Sequence, residues 1–124
     1  MNSVIPSLGE SEYRFACLVW ANEPVASGEL VKLAARELGW KKSTSYTVLK
    51  NLIAKGVLEN RDSQVTSLIK QQQVQQAESS AVVDRTFEGS LPRFVAAFLG
   101  ERSLTPQEAA QLRELIKNYE EGAK

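Results

Sequence analysis

The chain has 124 residues, no His and one Cys, and its 15 Lys+Arg balance 15 Asp+Glu. A chain of this length fits one compact domain, or a small domain with an attached oligomerisation segment, and it buries only ~65% of its unfolded surface, so a partner subunit would help it. Without His, and with Cys17 alone, the usual zinc ligand sets, a Ser-His-Asp or Cys-His nucleophile and an intrachain disulfide are all excluded.

The first helix is expected from about Glu10 to Ala21. Gly9 caps it, Glu10 and Glu12 favour its positive end, and Phe15, Leu18 and Val19 form an apolar stripe. Asn22-Glu23-Pro24 breaks it. A second helix opens at Ser27 as N-cap, shows Leu30, Leu33, Ala34 and Leu38, and stops at Gly39. A basic link, Trp40-Lys41-Lys42, leads to a third helix capped by Ser43. Its apolar face is Val48, Leu49, Leu52 and Ile53, and Gly56 ends it.

The period then changes. Val57 to Arg61 and Val65 to Ile69 are short β-branched runs around Asp62-Ser63-Gln64, which reads as a hairpin. From Lys70 the pattern is helical again. A long polar helix covers Gln71 to Phe87 with a thin stripe of Val74, Ala77, Ala81 and Val82. After Gly89-Ser90 comes a strongly apolar stripe, Leu91, Phe94, Val95, Phe98 and Leu99, closed by Gly100. Thr105-Pro106-Gln107-Glu108 is a capping box opening a last helix with Ala109, Leu112, Leu115, Ile116 and Tyr119. The expected class is mainly α with a small β-hairpin. Residues 1–70 are expected to form a winged helix-turn-helix domain, and residues 71–124 a helical segment after it.

The charge is not evenly spread. Residues 1–70 hold nine Lys/Arg and seven Asp/Glu, a net of +2, and residues 71–124 carry −2. Between Gly39 and Arg61, five cations (Lys41, Lys42, Lys50, Lys55 and Arg61) face only Glu59. The third helix shows Ser43, Thr44, Tyr46, Thr47, Lys50 and Asn51 on its polar side. Its open N-terminal amides lie beside Lys41 and Lys42, an arrangement suited to phosphate. Such a helix fits a major groove ~12 Å wide, and Arg61 near the hairpin tip can reach flanking backbone. The same polar face also serves a winged helix that contacts protein. Periodicity does not separate the two, whereas salt dependence of duplex binding does.

Further motifs bring in a resemblance. Leu8-Gly-Glu-Ser-Glu-Tyr13 with Leu18-Val-Trp20, Gly28-Glu-Leu-Val31, Gly39-Trp40, Ser43-Thr44, Thr47-Val-Leu49 and Leu52-Ile-Ala-Lys-Gly-Val-Leu58 resemble the penicillinase-repressor (BlaI/MecI) family. So do Phe87-Glu-Gly-Ser-Leu91, Val95-Ala-Ala-Phe-Leu99, Leu104 to Glu108 and Leu112-Arg-Glu-Leu-Ile116. The resemblance runs in order over nearly the whole chain. It implies a homodimeric repressor with an N-terminal winged helix on double-stranded DNA, at a palindromic operator, and makes residues 71–124 a helical dimerisation domain. Recognition-helix positions then fall on Ser43, Thr44, Tyr46, Thr47 and Asn51. Leu91, Phe94, Val95, Phe98, Leu99, Leu112, Leu115 and Ile116 are the expected dimer surface.

The chain departs from the family where Tyr46 replaces a usual basic residue, where Asn51 replaces a common Arg, and where Val65-Thr-Ser-Leu-Ile69 lacks an aromatic pair. The beta-lactam branch is cut by a regulatory protease in a motif that aligns with Ala97-Phe98, a cut that would split the Phe94–Leu99 stripe. Packing in the core is the competing reading of that pair. The Cys-x-Cys tail of copper-responsive relatives has no counterpart here, so no metal or other cofactor is expected. Carboxylate pairs such as Glu10 with Glu12 and Glu120 with Glu121 sit at helix ends, where they serve the dipole or face solvent, so no enzyme activity is expected. No signal peptide or apolar run of ~18 residues is visible, and a cytoplasmic location is expected.

Overall fold

The computed structural model describes residues 4–120. In these residues the chain order is α1 (Glu10–Asn22), β1 (Val25–Ala26), α2 (Ser27–Leu38), α3 (Lys42–Ala54), β2 (Leu58–Arg61), β3 (Gln64–Ser67), α4 (Gln71–Thr86), α5 (Leu91–Phe98) and α6 (Pro106–Tyr119). Three helices with a small antiparallel sheet of order β1-β3-β2 make the winged helix-turn-helix arrangement. The chain divides into two compact units, one ending at Ala81 and one beginning at Val82.

The first unit is built on the apolar stripes of α1 to α3. Phe15, Val19, Leu30, Ala34, Leu52, Val57 and Val65 have no exposed surface. Burying one Leu or Val side chain contributes about 1.5–3 kcal/mol. Trp40 stacks on Phe15 with ring centroids 5.7 Å apart, so it serves the core. Trp20 packs edge-on to Tyr13, and its indole N–H donates to the Ile69 carbonyl at 3.0 Å. The start of α4 belongs to this core as well. Val74 is fully buried, and the Gln71 and Gln75 amides donate to the Tyr13 hydroxyl at 3.1 and 3.2 Å. These contacts carry the first unit past residue 70.

The caps differ from expectation at two helices. Ser27 is the first residue of α2, and Ala26 stands at its N-cap. Ser43 lies inside α3, whose N-cap is Lys41. Each start lies one or two residues earlier because extended backbone at Ala26 and Lys41 already turns the chain, without a side-chain cap. Gly39 ends α2 in the left-handed conformation, φ 71°, as its place after Leu38 requires. Ile53 is exposed and not part of the buried face of α3; Ser45 is buried instead. Phe87 lies beyond the end of α4.

The hairpin is tighter than expected and gains a strand. Arg61 pairs with Gln64, leaving a two-residue loop of Asp62 and Ser63, both at positive φ (54° and 64°). That is the signature of a primed turn, which matches strand twist. β1 adds to the other edge of β3, with Val25 opposite Val65, and the Ser27 N–H donates to the Ser63 carbonyl at 2.8 Å. At the far end, the Glu23 carboxylate accepts the Ser67 N–H at 2.7 Å and its hydroxyl at 2.9 Å. Both ends of β3 are thereby tied to the helical part of the unit.

In the second unit, Ser90 caps α5 by accepting the Arg93 N–H at 3.2 Å. Thr105 and Glu108 form the expected capping box of α6, at 3.0 and 3.1 Å. Phe87 meets Phe94 edge-on at 5.6 Å, and Phe94 lies 6.3 Å from Phe98. Neither α5 nor α6 buries a single residue.

Candidate nucleic-acid interface and apolar helix faces

The outer face of α3 follows from its pitch. Residues advance ~100° each around a helix, so Ser43, Thr47, Lys50 and Ala54 fall on one line. All four are exposed, while Ser45, Leu49 and Leu52 point into the core. Tyr46 flanks the line on one side, and Thr44 and Asn51 on the other; all three are exposed. The expected polar residues thus share one surface, and Ala54 joins them. A small apolar side chain carries no polar signal, which is why the sequence pattern passes over it.

The start of α3 is open. Its N-cap, Lys41, makes no side-chain bond to the first turn, so the N–H groups of Lys42, Ser43 and Thr44 are not capped by that residue. Lys41 and Lys42 are exposed beside them. Among the described residues, Lys41, Lys42 and Lys50 enter no ion pair. Lys55 is different. Its ammonium donates to the Glu12 carboxylate at 2.6 Å and to the Ser7 carbonyl at 3.0 Å, so it fastens α3 to α1. Partial burial would raise the Glu12 carboxyl. The Lys55 hydrogen bond, the Gly9 N–H and the Lys55 charge outweigh it and hold the group below the usual carboxylate value. Arg61 is also paired, to Glu59 two residues before it on β2. The basic excess of this segment is therefore expressed mainly through three lysines.

Cys17 is half-buried, and burial pushes its thiol up against a smaller opposing bond from Tyr13. Glu12 is used by Lys55, and Glu121, half of the other carboxylate pair, lies outside the described residues. In the second unit, Leu91, Val95 and Phe98 recur on one side of α5, and Leu112, Leu115 and Ile116 on one side of α6. All six are exposed, with Phe98 at 54% and Ile116 at 65%. Phe94 and Leu99 are half-buried. Ala97 and Phe98 lie at the exposed C-terminal end of α5, where the Arg102 guanidinium covers the Phe98 ring at 4.2 Å.

A family model described as penicillinase repressor matches residues 8–118. The chain belongs to the penicillinase repressor family. It is 24% identical over 119 residues to the penicillinase repressor of Bacillus licheniformis, covering 93% of each chain. It is 18% identical over 120 residues to the methicillin resistance regulatory protein MecI of Staphylococcus aureus strain N315, covering 94% of this chain and 98% of that one. As a penicillinase repressor family member, the chain combines near-complete coverage with low identity. The described residues include no helix long and apolar enough to cross a membrane.

Proposed function

We propose that this protein is a cytoplasmic transcriptional repressor that binds double-stranded DNA as a homodimer, at a palindromic operator. The observation that carries this reading is the outer face of α3, where hydroxyl, amide, aromatic and unpaired lysine groups are exposed on a rigid helix braced by core residues on its other side. Lys41, Lys42 and the open N–H groups of the first turn are suited to the phosphate backbone. Ser43, Thr44, Thr47 and Lys50 are suited to base edges or adjacent phosphate. Asn51 matches adenine, and Tyr46 a phosphate or a thymine methyl. Arg61 at the wing adds a backbone contact beside the site.

The apolar stripes of α5 and α6 supply the homodimer surface: exposed Leu91, Val95, Phe98, Leu112, Leu115 and Ile116, with half-buried Phe94 and Leu99 beside them. A two-fold dimer sets two copies of α3 on half-sites one helical turn, ~10 bp, apart or at a multiple of it. Proteolysis between Ala97 and Phe98 would divide the α5 stripe and release the repressor.

The test is fluorescence anisotropy against the duplex upstream of the protein's own gene, with a scrambled duplex alongside, at several salt concentrations. Tight, salt-steep binding that prefers the native duplex is the expected result. Salt-independent binding, or none, overturns the DNA reading.

A further inference from the structure

We infer that Glu59 withholds Arg61 from DNA of arbitrary sequence, so that the wing engages phosphate only where an operator holds a phosphate against it. This rests on the DNA reading above and concerns how that reading is made selective. The hairpin from Leu58 to Ser67 carries one cation, Arg61, against two anions, Glu59 and Asp62. Its net charge is therefore −1, in the element that should lie beside an anionic backbone.

The geometry explains why the cation is held. Glu59 and Arg61 are two apart on β2, so both side chains rise from the same face. The Arg61 guanidinium donates to the Glu59 carboxylate, with 79% of the arginine side chain exposed but only 32% of the glutamate. The carboxylate is the seated partner and the guanidinium is drawn to it. The hairpin itself has little freedom to carry Arg61 elsewhere. Its loop is two residues long, and β1 and the Ser27-to-Ser63 bond fix the outer edge of β3. Glu59 accepts from the Nη2 of Arg61, so a phosphate that claims the guanidinium must compete with that carboxylate for it. By contrast, among the described residues Lys41, Lys42 and Lys50 form no ion pair, so they meet any duplex without such competition.

Anisotropy titrations against a labelled duplex of arbitrary mixed sequence, at several salt concentrations, test this with Glu59→Gln, Arg61→Gln and the double variant. Exposed pairs are weak, so Glu59→Gln should tighten binding only about three-fold. One added phosphate contact should steepen the salt slope by about 0.9. Arg61→Gln should weaken the wild type less than it weakens Glu59→Gln, and in the double variant the tightening should disappear. The inference fails if Glu59→Gln changes neither affinity nor slope. It fails equally if the tightening survives in the double variant, or if Arg61→Gln weakens the wild type as much as it weakens Glu59→Gln. In each of these cases salt-steep binding by the wild type leaves the DNA reading standing. Loss of salt-dependent binding by the wild type sinks both.

Discussion

Ser45 faces inward from α3, has no exposed surface, and its hydroxyl has no hydrogen-bond partner among the described residues. A buried hydroxyl left unsatisfied costs about 1–3 kcal/mol. Ser45→Ala should therefore raise stability by about 1 kcal/mol in urea unfolding, and DNA affinity should stay unchanged because the side chain points away from the outer face. Glu12 gives a pH-dependent counterpart. Its carboxyl titrates below the ordinary value in the folded chain, so its contribution is complete above the unfolded value. That contribution is lost as pH falls through the lowered one. Glu12→Gln should cost about 0.5 kcal/mol at neutral pH, and the gap to wild type should narrow as unfolding is repeated at pH values falling below the ordinary carboxylate range. At this scale the sequence was informative about the outer residues. The 3.6-residue period kept Ser45 off the polar side and grouped Ser43, Tyr46, Thr47, Lys50 and Asn51. It could not show which cations are spent. Lys55 and Arg61 are ordinary basic residues until Glu12 and Glu59 are brought beside them.

Among the elements, the six helices were legible because each carries an apolar stripe and a start or stop signal, such as the Thr105 box before α6 or Gly39 after α2. The ends were less legible. Ser27 and Ser43 are favoured cap residues, yet extended backbone at Ala26 and Lys41 starts each helix earlier. β1 was not legible at all. Two residues, Val25 and Ala26, have no period of their own and become a strand only when β3 lies alongside. The hairpin loop was hidden for a related reason: Asp62 and Ser63 adopt the conformation that Asn-Gly usually supplies. Glycine at the second position should relieve strain there. Ser63→Gly is expected to raise the midpoint of urea unfolding, by about 0.5–1 kcal/mol in stability, since its backbone N–H and C=O are kept. No gain would mean that the left-handed geometry at Ser63 is already compensated locally.

For the whole molecule, the decisive property is how unevenly the two units bury their apolar residues. The first unit encloses Phe15, Leu30, Leu52 and Val74 completely. In the second, Leu115 and Ile116 are more than half exposed, and neither α5 nor α6 contains a buried residue. Soluble monomers seldom leave apolar side chains recurring so regularly in the open, and such faces mark interaction sites. On the proposed reading a second copy of the chain covers them, which also gives a palindromic operator its meaning. Ile116→Asp places a charge in that face and should convert the dimer to a monomer in sedimentation equilibrium, while circular dichroism retains the helical signal of the first unit. Operator affinity should then fall by about 100-fold or more, because two linked half-site contacts become independent. Ala110→Glu is the matched control. Ala110 is exposed on the opposite side of α6, so the added charge should leave the dimer intact. If Ile116→Asp also stays dimeric, the α6 face is not where the copies meet. If it becomes monomeric yet binds the operator undiminished, each winged helix reads its half-site alone and the palindrome loses its purpose.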